Sequence, residues 1–138
     1  MQLTIHTDGG SRGNPGISGG GAVVFQDDRE IHSMSASFGI KTNNEAEYLA
    51  VIMALKWLKK FSQKQSIKQV KFFLDSKLVT EQLNKAWKIK EPRLRTLAHN
   101  CWEIIETLPY SVIFSHVRRE KNAEADLLAN QAMDTATM

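Results

Sequence analysis

From Gln2 to Thr7 the chain alternates, with Leu3 and Ile5 set against Gln2, Thr4 and His6, and this period of two predicts a strand. Asp8 is expected to close that strand, because the run DGGSRGNPGISGGG that follows carries dense turn signals. Ala22 to Gln26 and Glu30 to Phe38 read as two more strands joined across Asp27 and Asp28, so an antiparallel meander opens the chain. The period then changes. Ala46, Ala50, Met53, Ala54, Trp57 and Phe61 keep helical spacing between Glu45 and Phe61, with Asn43 or Asn44 placed to cap the helix. After the polar loop SQKQSIKQ, Val70 to Leu74 is a short apolar strand bounded by Asp75 and Ser76, and a helix of about ten residues through Leu78, Val79, Gln82 and Leu83 follows it. Glu91-Pro92 breaks the pattern. A second helix carries Leu94, Leu97, Ala98, Cys101, Ile104, Ile105 and Leu108 on one stripe, then Val112 to Val117 reads as the last strand and Ala123 to Met133 as the last helix. The order βββ-α-β-α-α-β-α predicts an α/β domain, a five-stranded mixed sheet flanked by helices. The tail DTATM fits either disorder or packing.

A length of 138 residues suits one domain spanning 1–138, and 42% hydrophobic against 24% charged residues is ordinary globular usage. Cys101 is the single cysteine, which excludes an intramolecular disulfide and suits a reducing cytoplasm, the expected location. No basic segment leads a long apolar run at the start and no long apolar stretch occurs elsewhere, so neither a signal peptide nor a membrane span is expected.

Charge changes the picture once it is divided along the chain. Met1 to Leu55 is net −3, Lys56 to Lys121 net +9, and Asn122 to Met138 net −3. A basic middle between acidic ends suits a protein that attracts a polyanion while gathering cations at one place, although solvated lysines on helix surfaces would give the same count.

The acidic side of that layout has chemistry. Asp8, Glu47, Asp75 and Asp126 all fall where predicted strands stop or helices start, the positions at which α/β domains bind ligands. Each has a local alternative: an Asx turn at Asp8, a capping box of Glu47 with Asn44, a turn at Asp75, a helix-dipole contact at Asp126. Brought together by a mixed sheet, the four would repel unless cations neutralised them. Hard oxygen ligands suit Mg²⁺ or Mn²⁺, and two such ions can serve phosphodiester hydrolysis. The glycine-rich segment lacks the endings of nucleotide-binding loops, but leaves Arg12 and Asn14 as donors to phosphate or ribose. Cys101, on an apolar stripe, reads as core.

The strings TDGGSRGNPG, TNNEAEYLA, LDSKLV and NAEADLLAN resemble, in order and spacing, those of type 1 ribonucleases H, and the resemblance runs from about Leu3 to Met133. It implies the ribonuclease H-like fold and metal-dependent cleavage of the RNA strand of RNA–DNA hybrids, leaving 5′-phosphate and 3′-hydroxyl ends. Asp8, Glu47, Asp75 and Asp126 look like the family's metal-binding acids. By the same resemblance Asp8 and Asp75 are central ligands, Glu47 also positions the RNA-side water or 2′-hydroxyl, and Asp126 completes the site. Asn14, Asn43 and Asn44 resemble residues that contact the hybrid's minor groove, and Thr42 one that helps hold a DNA phosphate. A monomer without a small-molecule cofactor is expected.

Two departures from the family's pattern stand out. Many members carry a long loop with a catalytic histidine before the last helix, whereas this chain has HVRREKN. Arg119, inside that short loop, is the preferred auxiliary residue at the scissile phosphate; His116 has suitable spacing to Asp126 but falls on the predicted strand. Between Leu83 and Leu94, where some members insert a basic handle, NKAWKIKEPR is short, though Lys85, Lys88, Lys90, Arg93 and Arg95 remain around Trp87, which could grip substrate or pack into the core. Two other functions stay open on the sequence: a nuclease of the same fold acting on double-stranded RNA, and a non-catalytic nucleic-acid binding module.

Overall fold

The computed structural model describes residues 1–137. Its elements are β1 (Gln2–Gly13), β2 (Gly16–Gln26), β3 (Arg29–Lys41), α1 (Asn43–Phe61), β4 (Gln69–Leu74), α2 (Lys77–Leu83), α3 (Pro92–Glu106), β5 (Ser111–His116), a 3-10 turn (Arg119–Lys121) and α4 (Ala123–Ala136). The five strands form one mixed sheet in the order β3-β2-β1-β4-β5, with β1–β2–β3 antiparallel and β4 and β5 parallel to β1. Alternation decides which side chains enter the core. Leu3 and Ile5 of β1, Val24 of β2, Val70 and Phe72 of β4 and Phe114 of β5 point to one face, where α1 buries Tyr48, Val51, Leu55 and Leu58 and α3 adds Ala98 and Cys101. α4 covers the other face over β1, β2 and β3.

The largest departure from the periodicity is the glycine-rich run. It does not end the first strand: β1 and β2 continue through it as a hairpin paired from Thr7↔Ala22 to Gly13↔Gly16. The physical reason is helix approach from both faces. A Cβ on Gly9 would strike the Ala46 backbone of α1, and one on Gly21 would lie 2.5 Å from the Ala125 carbonyl of α4. These glycines are therefore sites of close packing rather than turns.

Smaller corrections have local causes. Thr42, not Asn43 or Asn44, caps α1: its hydroxyl accepts from Glu45 N at 3.2 Å while Glu45 Oε1 accepts from Thr42 N at 3.0 Å, a complete capping box. Glu47 is thus not consumed by capping. α2 has 7 residues, because the chain leaves the helix at Asn84 and Lys85 takes a left-handed φ of 62°. Trp87 is 44% exposed and outside the core, whereas Trp102 donates its indole N–H to the Leu83 carbonyl. α4 continues through Asp134 to Ala136, so most of the DTATM tail is helical, and Met138 lies outside the described residues.

Candidate active site

Parallel pairing of β1 with β4 runs up to Thr7↔Leu74, so the next residue on each strand, Asp8 and Asp75, stand side by side. Asp8 lies inside β1, paired with Gly21, rather than at the strand's end. The bare Cα of Gly9 lets α1 settle on the strand and brings Glu47 to the same point. One carboxylate oxygen from each of Asp8, Glu47 and Asp75 falls within 4.8 Å of the others. Asp126, in the first turn of α4, faces them across a cleft of about 490 Å³ that Asn43, Asn44, Arg12 and Arg119 also line.

Crowded, buried carboxylates resist ionisation. Burial first, and then the neighbouring Asp126 and Asp75, push Asp8 from 3.8 up to about 7, against a hydrogen bond from Glu47 that lowers it. Glu47 is raised well above its ordinary value by burial and by the charge of Asp8. Asp75 is raised by burial, while Asn122 and the Arg119 guanidinium pull it back down. Glu47 Oε2 is buried with no hydrogen-bond partner among the described residues. An all-oxygen donor set, close spacing and an orphaned carboxylate oxygen fit a hard divalent cation, which would replace the protons the cluster otherwise retains.

Around the acids the polar side chains are oriented by the backbone. Asn14 Oδ1 accepts from Asn43 N at 3.0 Å, and Asn43 Oδ1 accepts from Ser11 N at 2.8 Å. With both carbonyl oxygens taken, each amide turns its NH₂ outward as a donor. Asn44 lies between the acidic cleft and a second one lined by Asn14, Thr42, Glu45, Glu91 and Arg93. The Thr42 hydroxyl accepts a capping bond yet keeps its own hydrogen to donate. Arg12 is engaged within the protein, its Nη2 2.5 Å from Asp134 Oδ1. Arg119, on the 3-10 turn, reaches the cleft, whereas His116 ends β5 with Nε2 donating to the Asp75 carbonyl at 3.2 Å.

The family model described as reverse transcriptase-like matches residues 6–132. The chain is 40% identical to LC11-RNase H1, isolated from compost and solved in complex with RNA/DNA hybrid, with a TM-score of 0.94 over 99% of both chains. It is 33% identical to the ribonuclease H of Acidovorax sp., covering 96% of this chain and 95% of that one. The chain belongs to the type 1 ribonuclease H family. Its five-stranded mixed sheet with four α-helices is the ribonuclease H-like fold of that family. The bifunctional protein Rv2228c of Mycobacterium tuberculosis is 38% identical over 99% of the chain, which spans 36% of that relative's length.

Ser11, which lines the cleft, Asn122, beside Asp75, and His6, behind Asn122, are polar residues that pattern reading passed over. Asn122 alone left a signal, an asparagine immediately before the last helix. His6 was hidden as one polar position of an alternating strand.

Proposed function

We propose that the cleft hydrolyses the RNA strand of RNA–DNA hybrids, leaving 5′-phosphate and 3′-hydroxyl ends, with 1–138 acting as one monomeric domain. The observation that carries this reading is the convergence of four carboxylates, from β1, α1, the end of β4 and α4, on a cleft bordered by outward amide donors. The complex of LC11-RNase H1 with hybrid supports the choice of substrate. Two divalent ions, Mg²⁺ with Mn²⁺ as substitute, would supply the lowered pKa of the attacking water and the neutralising charge at the leaving oxygen.

The chain's own residues do the rest. Asp8 and Asp75, fixed by strand pairing, form the centre of the ligand set, with Glu47 and Asp126 on either side. Water attacks phosphorus and gives up a proton, the P–O3′ bond breaks, and the 3′-oxygen takes up a proton, so the hydrolysis balances. Asn14, Asn43 and Asn44 offer donors to acceptors of the minor groove and to the 2′-hydroxyl that marks the RNA strand. Thr42 donates to a DNA phosphate. Arg119, exposed and permanently charged, meets the scissile phosphate and cannot shuttle protons.

End-labelled RNA–DNA hybrid, double-stranded RNA and single-stranded RNA, each with Mg²⁺, Mn²⁺ or EDTA, test the reading beside Asp75→Asn. Cutting is expected only in the hybrid's RNA strand, only with metal, and not in the variant. Arg119→Ala is expected to lower kcat about 10²-fold and His116→Ala much less. Hybrid binding without cutting by folded protein would instead make this a binding module, and equal cutting of double-stranded RNA would move the substrate class.

A further inference from the structure

Asn122 occupies the N-cap position of α4, and asparagine is among the best capping residues, yet its side chain makes no cap hydrogen bond. The amide turns instead to the central strand. Its Nδ2 donates to the Thr7 carbonyl at 2.7 Å, and its Oδ1 lies 3.1 Å from His6 Nδ1. A carbonyl only accepts, so the amide nitrogen must face Thr7 and the imidazole Nδ1 must carry the hydrogen donated to Oδ1. The His6 ring is itself seated between Phe25 and Phe73, at centroid distances of 5.8 and 5.2 Å.

The backbone of the same residue points the other way. Asn122 N donates to the Arg119 carbonyl at 2.9 Å, and its carbonyl accepts from Asp126 N at 3.1 Å. Asn122 is 1% exposed, so these bonds are sheltered from competing water. One buried residue therefore ties the residue preceding Asp8 to the segment carrying both Arg119 and Asp126. Its amide also stands beside Asp75, whose carboxyl it helps to hold down.

We propose that Asn122, oriented by His6, is a positioning residue that sets the separation between Asp126 and the Asp8–Glu47–Asp75 cluster through the Thr7 carbonyl. The inference rests on the metal-dependent reading of that cluster. Surrounding groups of this kind orient metal ligands, and their loss relaxes the geometry on which binding depends. A purely structural role would instead make losses follow stability.

The test uses His6→Phe, which keeps an aromatic ring between Phe25 and Phe73 but removes the donor, and His6→Asn, whose Nδ2 stands as many bonds from the backbone as the imidazole Nδ1. Three quantities are read: melting temperature, kcat and KM on RNA–DNA hybrid, and Mn²⁺ affinity of the nucleic-acid-free protein from the paramagnetic resonance of free Mn²⁺. For His6→Phe, kcat is expected to fall and the Mn²⁺ dissociation constant to rise about tenfold each, with KM for hybrid within about twofold. Its melting temperature should hold, and His6→Asn should recover most of both losses. Unchanged kcat and Mn²⁺ affinity in His6→Phe, or no recovery in His6→Asn, would overturn the assignment. Wild-type protein that binds Mn²⁺ but cuts no hybrid would overturn the proposed function instead, and the Mn²⁺ titrations would still decide the role of Asn122.

Discussion

Asp8 shows how one residue couples stability to the cluster it serves. Its pKa of about 7 in the folded protein stands above the ordinary 3.8, so between those values the folded state holds a proton that the unfolded state has released. Stability therefore falls as pH rises across that window, and the full penalty is present above about pH 7. Asp8→Asn removes the charge while keeping the shape. In EDTA the variant is expected to be more stable than wild type by at most about 4 kcal/mol at pH 8, with the gain vanishing below about pH 4. Urea unfolding across pH 4–8 measures this, and a pH-independent difference would sink the argument. Activity should be lost in the same variant, since on the proposed function the group that costs stability is also the one that would hold the cation.

At the scale of elements, the site depends on how closely two helices approach one hairpin. Gly21 pairs with Asp8 and faces α4, where a Cβ would lie 2.5 Å from both the Ala125 carbonyl and Leu128 Cβ. Gly21→Ala must push α4, and Asp126 with it, away from β1. We expect a stability loss of about 1–3 kcal/mol and a kcat decrease larger than the unfolded fraction explains. Gly10→Ala, whose Cβ would meet Met133 at an ordinary 3.6 Å, should keep its melting temperature. Paired denaturation and cleavage assays separate the two. This packing also explains what was legible in the sequence. Strand and helix periods report burial on a face, so Leu3 and Ile5 or the Leu94–Cys101 stripe declare themselves locally. The four acids were legible as a group because they fall where predicted strands stop or helices start, although Asp8 proves to lie inside β1. The glycine run was misread because glycine marks turns in local grammar, while here neighbours distant in sequence forbid a Cβ. The Thr42 cap had rivals of higher propensity in Asn43 and Asn44, and the Asn122–His6 pair links residues 116 positions apart. Only the folded chain brings such partners together.

Over the whole molecule, net charge matters less than which cations lie near the acids. α1 begins at the cleft and runs away from it, and a rise of about 1.5 Å per residue puts Lys59 and Lys60 roughly 18 Å beyond Glu47, more than twice the Debye length in physiological salt. The α2–α3 connection behaves differently. Trp87 folds back so that Lys77 Nζ, two residues beyond Asp75, sits 6.0 Å from its ring centroid. Lys85, Lys88, Arg95 and His99 line the adjoining cleft with Trp87 and Trp102. On the proposed function, a nucleic-acid strand leaving the acidic site in this direction would meet cations and an exposed ring on which sugars or bases can rest. Each phosphate contact contributes about 0.7–0.9 to the slope of log affinity against log salt. Hybrid binding by Lys85→Ala with Lys88→Ala should show a slope shallower by about 1.5 than wild type, whereas Lys59→Ala with Lys60→Ala should leave it nearly unchanged. Fluorescence anisotropy of labelled hybrid between about 50 and 200 mM salt, in Ca²⁺ to suppress turnover, measures both slopes. Equal shifts in the two double variants would show that the hybrid senses the basic segment only as diffuse charge, and the α2–α3 connection would then have no special part in binding.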